Sequence, residues 1–94
     1  MRICYRRRAQ LDLENIYEYI RNFNPNAAKE VVARIRSAID RLGTFPHMGH
    51  VGRASGTFEW VVVGSPYIVV YEIDETAEQV EIIAVLHGAQ RKTR

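Results

Sequence analysis

The chain has 94 residues, 47% of them hydrophobic and 26% charged, which suits one domain spanning residues 1–94 with an ordinary core and surface. No apolar run approaches the ~20 residues that cross a bilayer, and the charged start Met1–Arg8 has no apolar stretch behind it, so neither a membrane span nor a secretory signal is expected. The net charge of +2 is only mildly basic, and Cys4, as the one cysteine, excludes an intrachain disulfide and a multi-cysteine metal site. These features together lead to an expectation of a reducing, cytoplasmic setting.

Residues Met1 to about Arg6 alternate weakly and predict a short strand. From about Ala9 to Phe23, the apolar positions Leu13, Ile16, Tyr17, Ile20 and Phe23 recur at i, i+3, i+4 and i+7, the spacing of one helical face. Asp12, Glu14, Glu18 and Arg21 fall mostly on the other side. Asn24 followed by Pro25 is a helix start: the Asn side chain can cap, and proline at the first helical position loses no needed N–H. A second helix follows, with Ala28, Val31, Val32, Ile35, Ala38, Ile39 and Leu42 on one stripe, and Gly43 is expected to end it in the left-handed conformation. So short a turn makes the two helices a packed hairpin.

Residues 44–56 hold glycines and no periodicity, which predicts a loop. Three runs rich in β-branched and aromatic residues come next: Thr57–Val63, Tyr67–Ile73 and Gln79–Leu86. Gly64-Ser65-Pro66 and the polar segment Asp74–Glu78 separate them, the pattern of an antiparallel meander. The tail from His87 to Arg94 is polar and basic. The expected fold is α+β: an N-terminal strand, a helical hairpin, then a three-stranded antiparallel meander, βααβββ.

Charge is unevenly distributed along this order. Residues 1–50 carry nine Lys/Arg against five Asp/Glu, residues 51–94 four against six, and eleven of the 13 basic residues are arginine. Arginine makes planar, bidentate contacts with carboxylates and phosphates, which suits an acidic partner. Arg6-Arg7-Arg8 stands at a helix N-terminus, where positive charge is unfavourable, and so invites either an outside acidic partner or neutralisation by Asp12, Glu14 or the acidic Glu72–Glu81 segment. His47 and His50 flank Met48-Gly49 with no cysteine or carboxylate near in sequence, so no metal site is expected there. Trp60, Tyr67 and Tyr71 could stack bases, but at this spacing at least two of the three should fill the face beneath the helices. His87, at a strand end, should hydrogen-bond to the neighbouring strand or tail, and Glu59 should be a structural carboxylate. No cofactor is called for.

With these pieces in place the chain resembles the RelE/ParE toxin superfamily. The resemblance rests on the hairpin with Asn24-Pro25 at its turn, the loop Phe45-Pro46-His47-Met48-Gly49 leading to Gly52-Arg53, the segment Val63–Tyr71 matching a G-x-P-Y-x-x-x-Y strand, and the closing Ile82–Arg91 with its His87-Gly88 ending. It implies the toxin of a type II toxin–antitoxin, plasmid-stabilisation system, held in a hetero-oligomer with a cognate antitoxin. The RelE-like branch cuts messenger RNA on the ribosome with Lys and Arg on the central strands and a C-terminal Arg and Tyr. Here Glu59, Trp60 and Val61 occupy the first central strand, Ile68 stands where that branch has Arg, Ala89 takes another Arg position, and no tyrosine follows.

The resemblance therefore runs closer to the ParE-like branch, which implies inhibition of DNA gyrase by binding and not by a reaction of the toxin. On this reading Arg6, Arg7, Arg8 and Arg53 meet the antitoxin, and Arg91, Lys92 and Arg94 meet the target. Operator DNA is contacted only through the antitoxin, and no membrane is involved. One alternative is a ribosome-dependent endoribonuclease using His47, His50, Arg53, His87 and Arg91 as its catalytic set. Another is an inactive relative that serves only as an antitoxin-bound corepressor.

Overall fold

A computed structural model describes residues 1–89 of the chain. Strand β1 (Arg2–Tyr5) leads into helices α1 (Arg7–Arg21) and α2 (Pro25–Thr44), followed by β2 (His50–Val51), β3 (Phe58–Val61), β4 (Tyr67–Asp74) and β5 (Gln79–His87). The order is the expected α+β arrangement, with one addition: the segment read as a structureless loop contains the two-residue strand β2, paired with β3 through His50 opposite Glu59. Pairing supplies what periodicity could not, because two residues carry no recognisable alternation.

The helical hairpin forms for the reason its sequence suggests. The Asn24 side chain accepts the Ala27 N–H at 3.1 Å, and Pro25 occupies the first helical turn. The far end differs from the expectation. Gly43 does not turn left-handed; α2 continues through it to Thr44. Its missing side chain serves proximity instead: a Cβ there would sit 2.8 Å from the Met1 carbonyl oxygen, while the Met1 ammonium donates to the Gly43 carbonyl at 2.7 Å. The end of α2 is thereby clamped to β1. Phe23, counted on the apolar stripe, lies beyond the end of α1 and is 74% exposed.

The strands form one sheet in the order β1-β5-β4-β3-β2, with β1 parallel to β5 and the other pairs antiparallel. The hairpin thus carries the chain across one face of the sheet before the meander returns to it. That face is the core: Leu13 of α1 and Ile35, Ile39 and Leu42 of α2 pack on Val62, Val69, Tyr71, Val80 and Ile82. At ~25 cal/mol per Å² of apolar surface, each such side chain contributes about 1.5–3 kcal/mol.

Strict alternation along β5 would put Val80, Ile82, Ala84 and Leu86 on one side. A bulge breaks that pattern: Val70 pairs with Ala84 but Tyr71 pairs with Ile82, leaving Ile83 as the extra residue. Beyond it Val85 and His87 replace Ala84 and Leu86 on the helix-covered face, opposite Val69 and Tyr67. This one inserted residue decides that His87 faces α1. Among the described residues no helix is long and apolar enough to cross a membrane.

Candidate functional site

Two polar clusters occupy opposite ends of the sheet. The first is built on Tyr71, a core residue whose hydroxyl donates to the Pro46 carbonyl at 2.8 Å and accepts the Gly49 N–H at 3.0 Å. Burial raises its pKa above the ordinary tyrosine value, the Gly49 hydrogen bond partly opposing this. The Phe58 ring stacks on Tyr71 with centroids 5.6 Å apart, and His47 meets Phe58 edge-on at 5.9 Å. His47 Nε2 lies 3.6 Å from Glu75 Oε2, both side chains being about two-thirds exposed, so water screens the pair. His50 is exposed on β2.

Glu59 is buried, yet its acid group is structural: Oε2 accepts the Arg53 N–H at 3.2 Å. The Arg53 backbone is therefore fixed while its side chain is exposed. Gly52 is required beside it, since a Cβ there would run into the Thr57 hydroxyl and also come within 3.3 Å of the Glu59 carboxylate.

The second cluster joins α1 to the end of β5. The His87 ring meets Tyr67 edge-on at 5.4 Å, its Nδ1 accepts the Ala89 N–H at 3.0 Å, and the Gly88 N–H donates to the Pro66 carbonyl at 2.7 Å. Asp12, read as a solvent-side residue, is half-buried here: Oδ2 accepts the Val85 N–H at 2.9 Å and Oδ1 pairs with Arg8 at 3.2 Å. Asp12, Asn15, Ile16, Tyr19, Tyr67 and His87 line a groove between the helix and the strand end. Burial, and secondarily the neighbouring Tyr19, raise the Tyr67 pKa. Tyr19 and Phe23 form an edge-to-face pair at 5.3 Å on the rim, 66% and 74% exposed. The sequence marks both as aromatic but not as exposed, because helical periodicity alone does not say where the cover of the sheet ends.

The structure separates the histidines. His47 packs on Phe58, which stacks on Tyr71, whereas His87 packs on Tyr67; the two tyrosines stand four residues apart on β4, or ~13 Å at the usual strand rise. General acid and base must both reach one phosphate within hydrogen-bond distance, and these two do not. Arg91 lies outside the described residues, as do Lys92 and Arg94. Among the described residues no three His, Cys, Asp or Glu side chains converge as metal ligands.

The N-terminal arginines divide their work. Arg6 bridges Glu72 at 3.1 Å and Glu81 at 3.0 Å, and Arg8 holds Asp12. Both employ acids of the neutralising group anticipated from the sequence. Arg7 has no carboxylate partner among the described residues. Of the three aromatics in question, Tyr67 and Tyr71 are core residues, and Trp60 is half-buried against α2.

Comparison with known proteins fits this architecture. The family described as ParE toxin of type II toxin–antitoxin system matches residues 3–92. A candidate toxin of Sinorhizobium fredii, Y4kP, is 41% identical over 90 residues, covering 96% of this chain and 91% of that protein. Toxin RelE2 of Caulobacter vibrioides is 34% identical over 83 residues, 88% of this chain and 90% of its own length. Among solved structures, a chain of the chromosomal ParDE toxin–antitoxin system from P. aeruginosa superposes with a TM-score of 0.83 at 18% identity, covering 93% of this chain and 95% of its own.

Proposed function

The chain belongs to the ParE toxin family of type II toxin–antitoxin systems, and from that membership we propose that a cognate antitoxin holds it inactive and that, once released, it inhibits DNA gyrase by binding. Supporting a binding role over ribosome-dependent RNA cleavage is the placement of His47 and His87 on different anchors, Phe58 beside Tyr71 and Tyr67, the two tyrosines standing ~13 Å apart along β4. RNA cleavage needs a base for the 2′-hydroxyl, cations for the phosphorane and an acid for the leaving oxygen around one phosphate. The described candidates are spread over two ends of a strand.

The groove beside α1 suits the antitoxin. An amphipathic helix could lay an apolar stripe along Ile16, Tyr19 and Phe23, with a carboxylate near Arg7. Arg53 lies on the far flank of the sheet, beyond β2, so an antitoxin that met both arginines would have to span the molecule. The basic tail Arg91, Lys92 and Arg94 is assigned to the target, and operator DNA is reached only through the antitoxin.

Purified toxin, freed of antitoxin, should inhibit supercoiling by gyrase in a saturable way, and added antitoxin should restore it. Unimpaired supercoiling at saturating toxin, together with cut messenger ends in a translation extract, would transfer the function to RNA. Expression that fails to arrest growth would instead mark an inert corepressor.

A further inference from the structure

The flank of the molecule away from the α1 groove carries a second lined surface. Arg34, Ser37, Ala38 and Arg41 of α2 face Trp60 and Val63 across a shallow channel. Arg34 and Arg41 stand two helical turns apart, ~10.5 Å along the axis. Neither pairs with a carboxylate among the described residues. Between them lie the half-buried Trp60 indole and the Ala38 methyl, and Val63 is 77% exposed. Two cations thus bracket an apolar patch.

The backbone beside this channel is also open. Val62 donates its N–H to Tyr67 and the Thr57 carbonyl faces β2, so alternation turns the backbone groups of Val61 outward. The register of β2 reaches only Glu59, and among the described residues no strand stands opposite Val61 on that side. Val61 itself is 49% exposed.

We propose that this channel docks an extended acidic segment of a protein partner other than the antitoxin, with two carboxylates on Arg34 and Arg41 and an apolar side chain between them on Trp60. In an extended chain residues i, i+2 and i+4 share one face and span ~13 Å, a length that long arginine side chains accommodate. The recognised pattern is acid–x–apolar–x–acid, with main-chain pairing available at Val61. A polypeptide fits better than a nucleic acid because the patch between the arginines is apolar and the outward backbone groups of Val61 beside it can pair with an extended chain. The proposal is independent of the gyrase reading.

Trp60 is the chain's one tryptophan, so its emission reports on this site alone. The test is to titrate the free toxin with a short synthetic peptide bearing two glutamates four positions apart and a leucine midway. Saturable change in Trp60 emission is expected, weakened about threefold to tenfold by Arg34→Glu and again by Arg41→Glu, and lost with lysines in place of glutamates. The purified toxin–antitoxin complex should give the same change. No saturable change, equal response to the lysine peptide, or indifference to both arginine substitutions would overturn the proposal. Loss of the response in the complex would assign the channel to the antitoxin, and tighter quenching by a short single-stranded oligonucleotide would assign it to nucleic acid; either result also overturns it.

Discussion

Asp12 on α1 takes the place of a strand. Its Oδ2 accepts the Val85 N–H at 2.9 Å, on the side of β5 where β1 has ended after Tyr5. A helix side chain thereby closes a sheet edge that backbone pairing leaves open, and places α1 over the end of β5, forming one wall of the groove. Asp12→Ala should cost about 1–3 kcal/mol, because the Val85 donor loses its acceptor. Asp12→Asn, which keeps an acceptor oxygen, should cost less. Urea midpoints of the two variants give the comparison, and equal losses would refute the role of the hydrogen bond.

Tyr71 holds the 45–57 loop at the other end of the sheet and should impose an alkaline limit. Its pKa is raised by burial, as are those of Tyr5 and Tyr67. The folded chain keeps these protons where the unfolded chain would release them. Their contribution is therefore whole below the ordinary value near 10 and is lost as pH rises through the raised values. Unfolding midpoints should fall above about pH 10. Tyr71→Phe should make that fall shallower while lowering stability at neutral pH by about 1–2 kcal/mol. A variant with an unchanged alkaline slope would show that Tyr71 is not among the groups responsible.

Glycines in the same loop should respond differently to alanine. At Gly49 a Cβ would lie 2.6 Å from the Tyr71 hydroxyl and 2.7 Å from the Glu59 carbonyl, so the loop must move and about 2 kcal/mol or more should be lost. At Gly56 nothing among the described residues lies within 4 Å, but φ is +80°, and Gly56→Ala should cost only about 1–2 kcal/mol of backbone strain. Thermal unfolding would show the order. A reversal would mean that the loop yields more readily than its hydrogen bonds suggest.

The rim aromatics offer a functional test with little structural risk. Tyr19→Asp or Phe23→Asp, at positions 66% and 74% exposed, should leave the fold intact. Either should weaken antitoxin binding by about 2 kcal/mol or more if these rings anchor the partner helix. Calorimetric titration measures this, and antitoxin affinity that survives both changes would place the antitoxin elsewhere on the toxin.

Local patterns carried much of the fold. The stripes Leu13–Ile20 and Ala28–Leu42, the Asn24-Pro25 start and the three β-rich runs specify two helices and a meander, since each follows from periodicity and capping within a few residues. The membership of the family was legible in the same motifs. Only the tertiary structure decided the rest. It paired β1 with β5, raised one residue of β5 into a bulge so that His87 turns toward α1, and set His47 and His87 apart. It also committed Arg6 and Arg8 to internal carboxylates and left Arg34 and Arg41 facing outward. These outcomes join residues far apart in the chain, and a single sequence records no term for such distances; they are fixed by packing and by which donors and acceptors meet.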